Sequence, residues 1–216
     1  MDWTRQIDAY CERLGPGLWA EPVNAVTNLA FVAVALALWP RTVGIERVLC
    51  ALLLTIGIGS GLFHTFATPW AGVADTLPIA FFALSYIYAA NRRYLGWSVP
   101  LSLAGTLAYL PYGWAMSAVF AQLPGFAISA IYWPLPLLIA LYGLFLLRRL
   151  PSVGRGLIPG AALLSLSLTF RSLDMPLCTG WPIGTHFLWH ILNALMLGWM
   201  IRVLIRHRLE YGTTGG

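Results

Sequence analysis

The pentapeptide His186-Phe187-Leu188-Trp189-His190 sets two imidazoles four residues apart. On a helix they share a face, with Cβ atoms ~6 Å apart. Both rings can then reach one metal at the ~2.0–2.1 Å of a zinc–nitrogen bond. His64 offers a third nitrogen from a separate segment. Three protein ligands with an open fourth position is the pattern of a catalytic zinc site, whereas a structural site is closed by four. The competing reading makes the histidines polar glue between helices, bonded to Ser, Asn and Trp. In Gly59-Ser60-Gly61-Leu62-Phe63-His64 the Ser60 hydroxyl lies one turn before His64 on the same face. It could bond a developing oxyanion, or be one more small residue, beside Gly57, Gly59 and Gly61, that lets helices approach. Asp75 could act as general base toward water and then protonate a leaving amine. As a carboxylate near a helix start it could equally answer the helix dipole.

The elements that must carry these residues belong in a membrane. Of 216 residues 59% are hydrophobic and only 10% charged, with a mean hydropathy of +0.74. A soluble domain carries about 25% charged residues, and apolar runs this long exceed what a water-soluble core can hide. A soluble enzyme, a disordered chain and a nucleic-acid binder are excluded first. Reading for runs of ~20 apolar residues predicts an all-α, seven-transmembrane helix bundle, with spans at 22–39, 44–66, 73–91, 97–119, 126–147, 156–174 and 184–206. Pro111 and Gly113 should kink the fourth. Residues 1–21 form an N-terminal segment, 22–207 the membrane domain and 208–216 a tail. The first 21 residues hold Asp2, Arg5, Asp8, Glu12 and Arg13, so no cleavable signal peptide is expected.

The net charge of +5 reports topology rather than a nucleic-acid partner. Ten of the 13 arginines fall on one side: Arg41, Arg47, Arg92, Arg93, Arg148, Arg149, Arg155, Arg202, Arg206 and Arg208. Arg5, Arg13 and Arg171 fall on the other. The positive-inside rule makes the richer side cytoplasmic, with the N-terminus outside and the C-terminus inside. Trp19, Trp70 and Trp181 then mark the outer interface, and Trp39 and Trp97 the inner one. All 13 basic residues are arginine, a bias expected of a GC-rich bacterial genome, so the expected location is a bacterial inner membrane. His64, Asp75, Asp174, His186 and His190 converge near the extracytoplasmic face, where intramembrane ionisable groups mark function. Arg171 and Asp174 read as an i, i+3 pair, and His207 as a headgroup-facing tail residue. Cys11, Cys50 and Cys178 leave room for one disulfide and no scaffold.

With these residues in hand, the chain resembles the alkaline ceramidase family, among the seven-span membrane hydrolases that include the adiponectin receptors. The resemblance rests on four places. They are Cys11-Glu12 with Glu21-Pro-Val-Asn24-Ala-Val-Thr27-Asn28; Gly59-Ser60-Gly-Leu-Phe-His64; Asp75-Thr-Leu-Pro78; and Asp174-Met-Pro-Leu-Cys178 leading to His186-Phe-Leu-Trp-His190. It implies zinc ligands at His64, His186 and His190, with Ser60 and Asp75 catalytic. The implied reaction splits the amide of ceramide, or a related N-acyl lipid, into a sphingoid base and a fatty acid. Zn2+ would polarise the carbonyl, Ser60 would steady the oxyanion and Asp75 would shuttle protons. The lipid would enter sideways from the bilayer, tails among the apolar helices. The resemblance also implies a Cys11–Cys178 disulfide, which an oxidising outer space would preserve, and a free Cys50. Glu12 and Glu21 match acidic ligands of the family's calcium (Ca2+) site. Two other positions of that site read Ala9, beside Asp8, and Leu14, and calcium needs such hard oxygen ligands. Without calcium, Glu21 would pair with Arg13 or stand near a helix N-cap.

Two other functions compete with a zinc amide hydrolase. A non-enzymatic receptor or metal transporter would use the same His cluster, but a conduit needs polar residues continuing inward, and spans five and seven look almost wholly apolar there. An intramembrane serine protease built on Gly59-Ser60-Gly61 would need one histidine base and leave the other two unexplained.

Overall fold

The computed structural model describes residues 2–212. Among them are nine α-helices and no strand: α1 (Pro22–Thr27), α2 (Leu29–Leu38), α3 (Ile45–Phe66), α4 (Pro69–Arg93), α5 (Val99–Leu107), α6 (Tyr109–Phe120), α7 (Pro134–Leu146), α8 (Pro151–Leu177) and α9 (His186–Tyr211). Five stretches are long and apolar enough to cross a membrane: Pro22–Arg41, Ile45–Phe66, Pro69–Arg93, Pro151–Leu177 and His186–Tyr211. These match the first, second, third, sixth and seventh expected spans, and the other two differ for a local reason. The fourth breaks into α5 and α6 at Ala108, one turn before Pro111 rather than at it. A proline ring clashes with the carbonyl four residues back, so the break falls near Leu107. The fifth begins only at Pro134, after a 3-10 turn at Ala127–Ser129. Pro134 and Pro136 stand in the first turn of α7, where proline is readily accommodated, and its 13 residues reach only about 20 Å.

Helix α9 forms the centre of the bundle, packed against α1, α2, α3 and α8. Its lower half buries Ile201 and Leu204 against Leu49 and Leu53 of α3. The helices meet closely where side chains are absent. A Cβ on Gly198 would sit 2.3 Å from Val34 Cγ1, and one on Gly156 2.8 Å from Val203 Cγ2. The end away from the histidines is tied by Glu46, fully buried, which accepts from Arg93 at 2.5 Å and Arg208 at 2.9 Å. This joins α3, α4 and α9 by charge, and each partner compensates the other's burial.

Two turns frame the opposite end. Ala67 takes the left-handed conformation (φ 46°) and stops α3, its N–H bonding the Phe63 carbonyl at 2.7 Å. Thr68 is extended and Pro69 opens α4. The chain therefore reverses within two residues and lays α4 along α3. The tightest point is Gly59, where an added Cβ would lie 2.0 Å from the Ala74 carbonyl oxygen. Backbone touches backbone there, one residue from both Ser60 and Asp75.

Residues 2–21 are not a free tail. They cross the histidine end as a strap: the Ile7 N–H bonds the Ala67 carbonyl at 2.7 Å, and Cys11 is disulfide-bonded to Cys178. Cys50 is free and buried. A methyl group at Gly59 must push α3 and α4 apart, so Gly59→Ala should destabilise the protein by about 1–3 kcal/mol. Gly61, with no neighbour nearer than 4.0 Å, should tolerate alanine or gain about 1 kcal/mol of helix propensity. Thermal unfolding in detergent checks this; equal melting temperatures for the two variants would refute the close-contact reading.

Candidate metal centre

His64 comes from the last turn of α3, and His186 and His190 from the first two turns of α9, which runs the opposite way. The three rings meet with centroids 5.1 Å (His64–His186), 4.7 Å (His64–His190) and 4.6 Å (His186–His190) apart. One ligand atom from each lies within 4.8 Å of the others. All three are buried, His64 and His190 with no exposure at all. Each ring also keeps one buried nitrogen with no hydrogen-bond partner: His64 Nε2, His186 Nδ1 and His190 Nε2. An unmatched polar atom in an apolar interior costs on the order of 1–3 kcal/mol. Three such atoms converging fit a divalent cation better than packing glue, which would have matched them.

The surrounding residues fix the rings. His64 Nδ1 lies 2.6 Å from Glu21 Oε2, a carboxylate–histidine pairing that orients a ligand and raises its basicity. Glu21 also accepts from Arg13 Nε at 2.5 Å and from Asn24 Nδ2 at 3.2 Å. Burial alone would raise the Glu21 carboxyl, but His64 and Arg13 outweigh it and hold the group below its ordinary value. Arg13 Nη2 reaches the His64 carbonyl at 3.3 Å. His190 Nδ1 meets Thr27 Oγ at 3.0 Å. Thr27 is placed by the interruption between α1 and α2, where its hydroxyl also donates back to the Val23 carbonyl and Asn28 donates to the Asn24 carbonyl. Such local side-chain bonds compete with the helix ladder and bend it.

Asp174 positions His186. It accepts from the backbone N–H groups of Thr185 at 2.7 Å, His186 at 2.9 Å and Cys11 at 2.9 Å. It thus caps α9 and clasps the strap beside the disulfide. Gly184 (φ 69°) is required there, since a Cβ would fall 2.1 Å from Asp174 Oδ1. Arg171 is not its partner, contrary to the expected i, i+3 pair. Arg171 bonds Ser129 Oγ at 3.0 Å and lies over the Tyr132 and Trp189 rings. The two residues are helix neighbours, but Asp174 is committed to three backbone donors and Arg171 to Ile128 and Ser129.

Ser60 is buried and Asp75 half-buried, and they flank the point where Gly59 meets the Ala74 carbonyl and the Asp75 backbone nitrogen. Asp75 lies close enough to His64 to interact electrostatically with it. Among the described residues Ser60 has no hydrogen bond to an imidazole, which speaks against a serine–histidine protease.

The two acids matched to a calcium site have other partners. Glu12 accepts the Val23 N–H at 2.7 Å and the Asn24 N–H at 2.8 Å, capping the start of α1 from outside. Glu21 belongs to Arg13 and His64. Among the described residues the three histidines are the one group of this kind that can hold a metal. His207 is likewise not a free tail residue; it packs against the Tyr94 ring at 5.1 Å.

Two residues join the site without a sequence signal of their own. Tyr10, on the strap, stacks on His186 with centroids 3.8 Å apart and closes the cluster from outside; burial pushes its hydroxyl above the ordinary value. A link from Cys11 to Cys178, eight residues before His186, would have placed it. Asn193, one turn below His190 and 2% exposed, leaves its Oδ1 unmatched. It is the polar member of a recess lined by Ile56, Phe82, Tyr86, Trp189 and Leu197. The recess below the histidines is thus lined mainly by apolar side chains. At the far end of the bundle Glu46 also had no reading from sequence, being an acid among arginines.

Compared with protein-family models and with curated proteins, the chain matches none. Removing one ligand by His190→Ala should abolish stoichiometric metal in the purified protein. Glu21→Gln should weaken metal affinity about 10–100-fold, read by chelator competition. Unchanged metal content in both variants would overturn the metal centre.

Proposed function

We propose that this protein is a zinc-dependent membrane amidase that hydrolyses ceramide or a related N-acyl lipid to a sphingoid base and a free fatty acid, in the manner of the alkaline ceramidases it resembles. The observation that carries this reading is the juxtaposition of three orphan imidazole nitrogens with Ser60 and Asp75, which meet at the α3–α4 backbone contact. Three neutral nitrogen donors in a closed, buried set suit zinc, and leave a coordination position free for water or substrate.

When bound, Zn2+ supplies Lewis acidity toward the amide carbonyl and water acidic enough to attack at neutral pH. The chain's own residues do the rest. Asp75 accepts a proton from the attacking water and passes it to the leaving nitrogen as the C–N bond breaks. Ser60 donates its hydroxyl hydrogen toward the carbonyl oxygen as negative charge develops. Glu21, Thr27 and Asp174 keep the three rings in register. Tyr10 and the strap shield the site from bulk water. The apolar recess below the rings suits the tails of a lipid.

In this reading α5–α6 and the short α7 complete a seven-span bundle. The disulfide-bonded end faces an oxidising extracytoplasmic space and the arginine-rich end the cytoplasm of a bacterial inner membrane. A transporter would need further polar steps lining the space below the histidines, and the recess there is walled mainly by apolar side chains.

Incubation of the purified protein with a panel of ceramides and other N-acyl lipids, with fatty acid release as the readout, tests the proposal. Chelation should abolish release. Ser60→Ala should lower kcat by about 10²–10³-fold, and Asp75→Asn by about 10²–10⁴-fold, with metal content unchanged in both. No release from any amide lipid by metal-loaded protein would refute the amidase. Activity that survives chelation would refute the zinc assignment.

A further inference from the structure

The end of the bundle opposite the histidines carries a cleft of ≈ 400 Å³ between the end of α2, the first turns of α8 and the last turns of α9. Along α9, His186 and Arg208 stand roughly 33 Å apart, so this cleft lies at the depth of the other leaflet's headgroups. Its rim holds Arg41, Arg202 and Arg206. Arg202 and Arg206 are four residues apart and share one face of α9. Arg206 is paired with Glu210 at 2.5 Å. Among the described residues neither Arg41 nor Arg202 has an ion-pair partner. The buried acid of this end, Glu46, is already claimed by Arg93 and Arg208. The cleft therefore keeps two unneutralised guanidiniums.

Below that rim the lining turns apolar, with Leu38, Val153, Val203 and the Trp199 indole. Trp199 donates to the Gly156 carbonyl at 2.7 Å, which satisfies its N–H and holds the ring in place. The first turn of α8, at Ser152 and Val153, opens into the same space. A helix start adds partial positive charge there. Two free cations above an apolar, aromatic floor match a ligand with a phosphate at one end and hydrocarbon at the other. A zwitterionic head would bring its own cation to a site that already has an excess.

We propose that this cleft binds an anionic phospholipid of the surrounding membrane, with its phosphate between Arg41 and Arg202 and an acyl chain along Trp199 and Val203. Guanidiniums suit the task because their forked donors engage two phosphate oxygens at once. The site is remote from the histidines and does not depend on the chemistry performed there.

Native mass spectrometry of the detergent-purified full chain, titrated with dioleoyl phosphatidylglycerol or dioleoyl phosphatidylcholine, tests this. The phosphatidylglycerol adduct should dominate. R41Q/R202Q should weaken it about tenfold, while R148Q/R149Q, which removes equal charge at the same end outside the cleft, should leave it within about twofold of the parent. Millimolar inorganic phosphate should not displace the lipid. Equal loss in the two double variants, or equal retention of the two lipids, would overturn the proposal. Displacement by inorganic phosphate would also overturn it, by making the site one for a soluble anion. The bound metal content of R41Q/R202Q, expected to match the parent, shows that the variant is folded.

Discussion

Three imidazoles buried in an apolar bundle, each with a nitrogen left unmatched, set the terms for the rest of this protein. Desolvating such groups is unfavourable unless something common to them restores the lost bonds. The cluster is therefore stable only if the three rings point inward together. Every polar contact near them serves that end: Glu21 on His64, Thr27 on His190, and Asp174 on the backbone of His186. Rings held by outer partners lose little freedom when a ligand arrives, which favours tight binding.

The strap of residues 2–21 follows from the same constraint. A helix bundle leaves its ends open to water, and an open end would hydrate the histidines. Here the Cys11–Cys178 bond, Asp174 and the Ile7–Ala67 contact draw the strap across the opening. Tyr10 then lies flat on His186. At the far end the polar groups form a separate set around Glu46 and the basic cleft. Between the two ends the interior is mainly apolar, and polar groups such as Ser167 and Tyr86 are bonded to backbone carbonyls of α9. The molecule is thus a two-ended bundle with distinct electrostatics at each membrane surface.

Close approach of backbones supplies the geometry. In a membrane, helix association relies on packing rather than on water exclusion, so small residues at crossings decide distances. Gly59 lets α3 touch α4 at Ala74, and this contact sets Ser60 beside Asp75 from a helix away. Gly57 does the same between α3 and the α1–α2 region, where an added Cβ would lie 2.9 Å from Phe31 Cβ. Gly61 is not part of any such contact. Neighbouring glycines with one spacing thus have unequal weight.

The sequence by itself determined that the chain is helical and membrane-embedded, because long apolar runs permit nothing else. It also determined that His186 and His190 share a face, because helical periodicity is local. It predicted the five long helices well and missed the extent of two others, where prolines act on residues a turn away. Which histidine faces which, what holds each ring, and which acids are free were decided only by tertiary structure. Glu12 and Glu21 illustrate the limit. Both are acids in a segment without periodicity, and a calcium reading followed from resemblance alone. Folding instead places one carboxylate at the start of α1 and the other on His64. Asp174 was read as the partner of a nearby arginine, yet it binds three backbone amides up to 163 residues away. Spacing along a helix reveals neighbours within a turn; contacts across the bundle depend on how closely the helices pack, and that is set by many side chains acting together.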